Sequence, residues 1–211
     1  ESKSNELSYL IDVEYPQIEI FGNNIFDEIN NIISGKIIDI VQNSRRIGIS
    51  YLDDKDLRET LTNYSATNDL YVGYYVHHIS KKLLSIHFTI STYSAGAAHP
   101  LHGIMPINYE LDPTMKLILY DLFKNNYDYL NIISEYCIDD LIKQLKSEED
   151  FSHLANPDEG MERSIEWIKE GAGPKADNFE KFGINEDGLT IFFDDYQVGP
   201  YAWGHRLVEI P

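Results

Sequence analysis

The sequence predicts an α+β domain in which an antiparallel sheet carries helices packed on one face. Three observations lead there. Leu83 to Tyr93 alternates without a break, with Leu84, Ile86, Phe88, Ile90 and Thr92 on one side and Ser85, His87, Thr89, Ser91 and Tyr93 on the other. That is the pattern of a half-buried antiparallel strand in a sheet with one covered side. Ile25, Ile29, Ile32, Ile33, Ile37, Ile40 and Val41 recur every three or four residues, and so do Leu130, Ile133, Tyr136, Cys137, Leu141 and Leu145, which marks two amphipathic helices. Strand and helix signals do not alternate regularly along the chain, which argues against a doubly wound parallel sheet.

In chain order, Tyr9 to Tyr15 alternates briefly and stops at Pro16, a first strand followed by an edge segment through Ile18 and Ile20. Asn24 is placed to cap the first helix. Asp53 to Asp69 is polar and without period, a loop or weak helix between structured parts. Tyr71 to Ile79 and Leu83 to Tyr93 flank Ser80-Lys81-Lys82 and form a hairpin. Small residues, Gly96 and Pro100 interrupt from Ser94 to Leu101, before Met105, Ile107, Tyr109 and Leu111 alternate up to Asp112-Pro113. The second helix is expected to begin near Asn126. A third opens at Asn156-Pro157-Asp158-Glu159, with Asn as cap, Pro at the first position and Glu at the capping-box position, and buries Met161, Ile165 and Ile168. Gly171 and Gly173-Pro174 end it. Strands follow at Phe179 to Ile184, Leu189 to Phe193 and Trp203 to Ile210, with a turn over Asn185 to Gly188. The expected organisation is one compact α+β domain over 1–211: a strand-helix segment 1–52, an irregular connection 53–69 and a sheet/helix body 70–211.

The chain has 211 residues, 43% of them hydrophobic, with 15 Tyr, 9 Phe and 2 Trp, enough buriable surface for an ordinary core. Thirty-five acidic against 17 basic residues give a formal charge of −18, which repels phosphate backbones and anionic membranes. Nucleic acid is therefore not an expected partner, whereas a basic protein is attracted. Cys137 is the only cysteine, so neither an intrachain disulfide nor a cysteine-rich zinc site is possible. The sequence has no apolar run of membrane-spanning length. Glu1 in place of an initiator Met leads to the expectation that a signal, anchor or tag lies upstream.

Catalytic constellations are sparse. With a turn at Lys81-Lys82, His78 and His87 fall diagonally on one face, but a third metal ligand is missing from any standard spacing. There is no HExxH, GxSxG, P-loop or GxGxxG between a strand and a helix, and Cys137 lies on a helix stripe where a thiol is inert packing. Asp194-Asp195 reads as a solvated turn, its side chains pointing opposite ways. No catalytic residue, metal or cofactor is assigned. Two segments stand out instead: Thr92 to Pro100, made of small residues, and the aromatic, Gly-containing loop Tyr196 to Gly204.

Those segments also carry a resemblance. Tyr93, the small run Ala95-Gly96-Ala97-Ala98-His99, the strand ending at Leu111-Asp112 and then Leu119-Tyr120-Asp121-Leu122-Phe123 resemble the domain of unknown function shared by RsiV-type anti-sigma factors and PdaC-type peptidoglycan deacetylases. Leu189 to Gly204, followed by Val208-Glu209-Ile210-Pro211, looks like that family's closing pattern: a Tyr, a Pro-Tyr pair and a Gly before a last strand ending in Ile-Pro. Tyr15-Pro16 with Ile29-Asn30 is similar to the companion N-terminal segment. The stretches 53–69 and 148–175 lie outside the likeness, and the small run reads Ala95-Gly96-Ala97-Ala98-His99 where the family commonly has consecutive glycines before Ala-His.

The resemblance implies an extracytoplasmic protein (periplasmic, secreted or surface-anchored) and a non-catalytic recognition role. In the anti-sigma relatives it implies recognition of lysozyme through loops of this domain. The expected function is thus a protein-binding module for lysozyme or another cell-wall-associated protein. Its contact residues are expected to be Ser94, Ala95, Gly96, Ala97, Ala98 and His99 in one loop and Tyr196, Pro200 and Tyr201 in the other. The alternatives are an immunity or inhibitor protein against a cell-wall-targeting toxin, and a peptidoglycan-acting enzyme or accessory.

Overall fold

A computed structural model of the chain describes residues 8–19, 25–50, 56, 67–124, 127–148 and 156–211. Along them run β1 (Ser8–Val13), α1 (Ile25–Ser50), β2 (Thr67–Ile79), β3 (Leu83–Tyr93), β4 (Leu101–Leu111), β5 (Thr114–Lys116), α2 (Tyr129–Glu148), α3 (Pro157–Gly171), β6 (Phe182–Ile184), β7 (Leu189–Phe193) and β8 (Arg206–Ile210). Strands β1 to β5 form one mostly antiparallel sheet in chain order, and β6 to β8 form a second, antiparallel one. The class is α+β, as the patterning predicts. Contacts divide the chain into two compact units, Glu1–Tyr75 with Phe88–His102 and Val76–His87 with Gly103–Pro211, so β2, β3 and β4 each contribute to both.

In the first unit, β1 pairs with β2 in parallel, from Ser8 opposite Thr67 to Val13 opposite Val72. This is a parallel pair in a sheet that is otherwise antiparallel, as the patterning predicts; α1 in the connection supplies the long crossover that a parallel pair needs. The α1 stripe buries Phe26, Ile29, Ile33 and Ile37, while Ile32, Ile40 and Val41 are only partly covered. The Asn30 side chain accepts the Ile18 N–H and donates to the Ile18 carbonyl, both at 2.9 Å, satisfying the backbone that follows Pro16. Strand β2 begins at Thr67, four residues before the expected Tyr71, because Asn68 and Leu70 are already buried. The Asn24 cap, Ile20 and most of the polar connection lie outside the described residues.

The second unit holds the larger core. Ile133, Cys137, Leu141 and Leu145 of α2, with Ile168 of α3, pack with Phe182, Ile191, Phe193 and Val208 of the three-stranded sheet. Ser134 Oγ donates to the Ala172 carbonyl at 2.7 Å and ties α2 to the end of α3. Helix α2 starts at Tyr129 instead of near Asn126, and Tyr136, expected in its apolar stripe, is exposed. Asn156 occupies the cap position of α3, its carbonyl accepting the Gly160 N–H at 3.1 Å, but its side chain makes no capping bond and its amide donates instead to Glu159 Oε2 at 3.1 Å. The expected strand at Phe179 divides into a 3-10 turn, Ala176–Phe179, and the short β6, while Trp203 closes another 3-10 turn before β8.

In this unit β3 and β4 are covered on both faces, at Leu84, Ser85 and Ile86 and at Ile107 and Asn108, against the expectation of a sheet with one open side. Ser85, on the polar side of β3, is fully buried. Its Oγ donates to Asn108 Oδ1 and accepts the Ile184 N–H, each at 2.7 Å, and Asn108 Nδ2 donates to the Phe182 carbonyl at 2.7 Å. These bonds attach β6 to β3 and β4 through side chains. Burial on both sides of β4, at Ile104, Ile107, Asn108 and Leu111, breaks the simple alternation that the sequence suggests.

Candidate functional site

The C-terminal loop after β7 combines a rigid frame with two outward tyrosines. Gln197 supplies much of the frame: Oε1 accepts the Asp194 N–H at 3.1 Å, and Nε2 donates at 3.0 Å to the carbonyls of Gly171 and Asn178. A Cβ on Gly171 would lie 1.9 Å from the Gln197 carbonyl oxygen, and one on Gly199 would lie 2.3 Å from the Trp203 ring, so both positions need glycine. Gly204 has φ 71°, which favours glycine for a different reason. Arg206 holds its guanidinium 4.2 Å from the Trp203 ring centroid and pairs with Glu148 at 2.6 Å.

On this frame Tyr196 stands half-exposed with φ 67°, a left-handed conformation that a non-glycine residue adopts only where the surroundings impose it. Its carbonyl accepts the Trp167 indole N–H at 3.0 Å, and its ring lies 5.7 Å from that of Tyr201. Pro200 is exposed between them. Lys181 Nζ reaches Asp194 Oδ2 at 2.5 Å, while Asp194 Oδ1 and both Asp195 oxygens are occluded and make no hydrogen bond. The expectation of a solvated Asp194-Asp195 turn is therefore corrected: the loop folds over these oxygens. Desolvation, then the charge of Asp195 and then Tyr196, raise the Tyr201 phenol above its ordinary pKa, keeping it a neutral donor.

Sequence reasoning named Tyr196, Pro200 and Tyr201 and missed Trp167 and Gln197. Trp167 neighbours the buried Ile168 on α3, and its position on the solvent side of an amphipathic helix was the available signal.

The Ser94–His99 loop belongs to the first unit. The Ala97 N–H donates to the Ser94 carbonyl at 2.8 Å and Gly96 has φ 89°, the arrangement of a type II turn. Ala95 is buried and donates its N–H to Asn68 Oδ1 at 2.9 Å; Gly96 and Ala98 are exposed, and Ser94, Ala97 and His99 are partly so. The His99 Nδ1 lies 2.9 Å from the Pro100 carbonyl.

The histidine pair also differs from expectation. His77, not His78, meets His87, with Nε2 and Nδ1 2.7 Å apart and ring centroids 4.9 Å apart, nearly head-on. Counting one-to-one from the turn selects His78; a one-residue displacement of register moves its neighbour onto the shared face. One nitrogen must donate and the other accept, so the contact holds a single proton. Burial, then His77 and His205, lower the His87 pKa to about 4, and burial lowers that of His77 against the attraction of Glu209. The His77 ring lies 2.7 Å from where a Cβ on Gly183 would stand, and both rings contact Phe192. Among the described residues no three His, Cys, Asp or Glu side chains gather closely enough to hold a metal. Cys137 is fully buried, and burial, then Asp140, push its thiol up to about 12.

Residues 2–102 match the family model described as Deacetylase PdaC, and residues 120–211 match that of a protein of unknown function, DUF3298. The matches include 53–69 and 148–175, beyond the segments that carry the resemblance in the sequence. The Bacillus subtilis (strain 168) peptidoglycan-N-acetylmuramic acid deacetylase PdaC is 31% identical over 143 residues, covering 68% of this chain and 27% of that protein, so this chain spans about a quarter of that relative. A crystal structure of a DUF3298 family member from Bacteroides fragilis superposes with a TM-score of 0.61 at 19% identity, over 98% of this chain and 87% of that one, a likeness of fold. A DUF3298 family protein from Pseudomonas aeruginosa PAO1 gives 0.48 at 17% identity over 75% of this chain and 66% of that one. Matches at both ends, joined by a shared fold, make this chain a PdaC-type N-terminal region followed by a DUF3298 domain.

Proposed function

We propose that the chain is a non-catalytic, extracytoplasmic recognition module of the cell envelope that binds a basic cell-wall-active protein of the lysozyme type. The observation that carries this reading is the Tyr196–Tyr201 pair, Tyr196 half-exposed and Tyr201 partly so, fixed in place beside the Asp194 and Asp195 carboxylates. Rigid aromatic anchors lose little conformational freedom on binding, and a desolvated centre of this kind is where interface energy concentrates. Three neighbouring charges, two carboxylates and one ammonium, leave the loop net negative, and the chain's −18 adds long-range attraction for a cationic partner. Ser94–His99 is a second candidate contact, with Gly96 and Ala98 presenting backbone at the surface.

The non-catalytic reading is supported by Cys137, whose thiol stays protonated at physiological pH and is closed to solvent. The deacetylase's activity belongs to a protein about four times the length of the matched share. Titration of labelled protein with hen lysozyme at low and moderate salt tests the proposal. Binding that weakens with salt, and that falls by about tenfold or more for both Tyr196→Ala and Tyr201→Ala, is the expected result. Absence of binding at tens of micromolar, or affinity unchanged in both variants, overturns it.

A further inference from the structure

We infer that the aromatic surface formed in the second unit by the 3-10 turn Leu119–Leu122 and the start of α2 docks a cationic amphipathic helix. The turn is anchored from below: Leu119 lies in the core and Leu122 packs against it. Asp121 Oδ2 accepts the Ile118 N–H at 2.9 Å and closes it. The rings that follow are stacked. Phe123 lies nearly parallel to Tyr129, with centroids 4.6 Å apart at 9°, and to Tyr127, 6.2 Å apart at 11°, while Tyr120 meets Tyr129 edge-on at 6.3 Å. Helical spacing carries the surface on from Tyr129 to Ile132 and Tyr136, along ~10 Å of α2 and away from the buried stripe of Ile133, Cys137 and Leu141. Tyr127 and Ile132 are 55% and 50% exposed, and Tyr120 and Tyr136 are exposed as well. Large apolar side chains grouped in this way at a surface mark a contact with a partner.

The rim defines the chemistry of that partner. Asp121, Asp128, Glu135 and Asp139 are exposed beside the rings, and Lys124 is the only cation between Ile118 and Asp140. The Asn131 amide donates to both oxygens of Asp128, at 2.9 and 2.8 Å, and holds that carboxylate at the edge. A partner must therefore bring apolar side chains bordered by cations. A helix with aliphatic residues at three- and four-residue spacing and lysine or arginine on either side has that pattern, and two of its turns match the two turns of α2 over which the surface runs. Its cations also find the faces of the rings. Because the stacked rings are already fixed, little side-chain freedom is lost on docking. A second copy of the chain would set these carboxylates against their own counterparts, and an anionic bilayer would be repelled by them. The surface shares no residue with the Tyr196 loop, so substitutions can remove one kind of binding and leave the other.

The test is calorimetric titration of the whole chain with an amidated peptide of about fifteen leucine and lysine residues, its leucines at helical spacing, beside a peptide of the same composition with that spacing scrambled. The expected result is binding at tens of micromolar or tighter that weakens with salt and is about tenfold weaker for the scrambled peptide. Tyr127→Ala and Ile132→Ala leave the net charge unchanged and should each weaken binding about fivefold, as should Glu135→Gln combined with Asp139→Asn. Tyr196→Ala should bind the peptide like the parent while losing lysozyme. Unfolding midpoints of all variants verify that α2 is intact. Absence of binding at hundreds of micromolar, equal affinity for the scrambled peptide, or affinity indifferent to both Tyr127→Ala and Ile132→Ala overturns the proposal, as does a loss in Tyr196→Ala equal to that in Tyr127→Ala. Self-association of the chain that Ile132→Ala abolishes would also overturn it, by assigning the surface to a second copy.

Discussion

Ser85 and Thr89 occupy equivalent positions of one strand, two pleats apart on the same side of β3, yet their surroundings are opposite. Ser85 is sealed in the second unit with Asn108 and the backbone of Ile184, and Thr89 is exposed in the first. A polar residue at alternate positions therefore does not mean a solvated face. In one stretch it is the surface itself. In the other it is the fastening for a second layer, and every bond it makes is with a residue distant in sequence.

Replacement at these two positions gives the largest expected contrast. Ser85→Ala leaves the buried Asn108 carbonyl oxygen and the Ile184 N–H without their partner and should cost ~2–4 kcal/mol, against less than ~0.5 kcal/mol for Thr89→Ala, as read from urea midpoints. Equal losses would break the comparison. Glycines sharpen it further. Gly183→Ala drives a methyl into the His77 ring and should cost ~1–3 kcal/mol, whereas at Gly73 the new methyl meets only the Thr89 hydroxyl at 3.2 Å and the change should stay within about 1 kcal/mol.

The smallest effect is the response to acid. Well above pH ~6.5 His87 is neutral in folded and unfolded chains alike. As the pH falls, the unfolded chain takes up protons near 6.5 whereas folded His87 does so only near 4, so the unfolded state binds more protons in that window and stability declines through it. The shift corresponds to roughly 3 kcal/mol at most, and solvent screening of the half-buried ring reduces it to ~1–2 kcal/mol. His87→Gln should flatten the change in urea midpoint between pH 7 and pH 4.5 relative to the parent; an unaltered slope would contradict the buried neutral pair.

The same contrast marks how far the sequence could be read. Element types and the helix stripes were legible because Ile29, Ile33 and Ile37, or Ile133, Cys137 and Leu141, encode burial locally through spacing. The parallel pairing of β1, the covering of Ser85 and the choice of His77 over His78 were not, because each depends on partners tens of residues away or on a one-residue register. At the C-terminal loop, the motif named the right stretch but not the division of labour within it. Gln197, Gly199 and Trp203 build the frame and Tyr196, Pro200 and Tyr201 face outward, a distinction carried by hydrogen bonds and close approaches that composition does not encode.

One bond in that frame has an optical consequence. Trp167 and Trp203 are the chain's two tryptophans, and they differ in environment: Trp203 is buried beneath a guanidinium, while Trp167 is 38% exposed and donates its indole proton to the carbonyl of Tyr196. Whatever seats itself on the Tyr196 loop changes the polarity around the more accessible indole first. The protein thus contains its own fluorophore at the lip of its candidate binding surface, and a blue shift of its emission would report occupancy without a label.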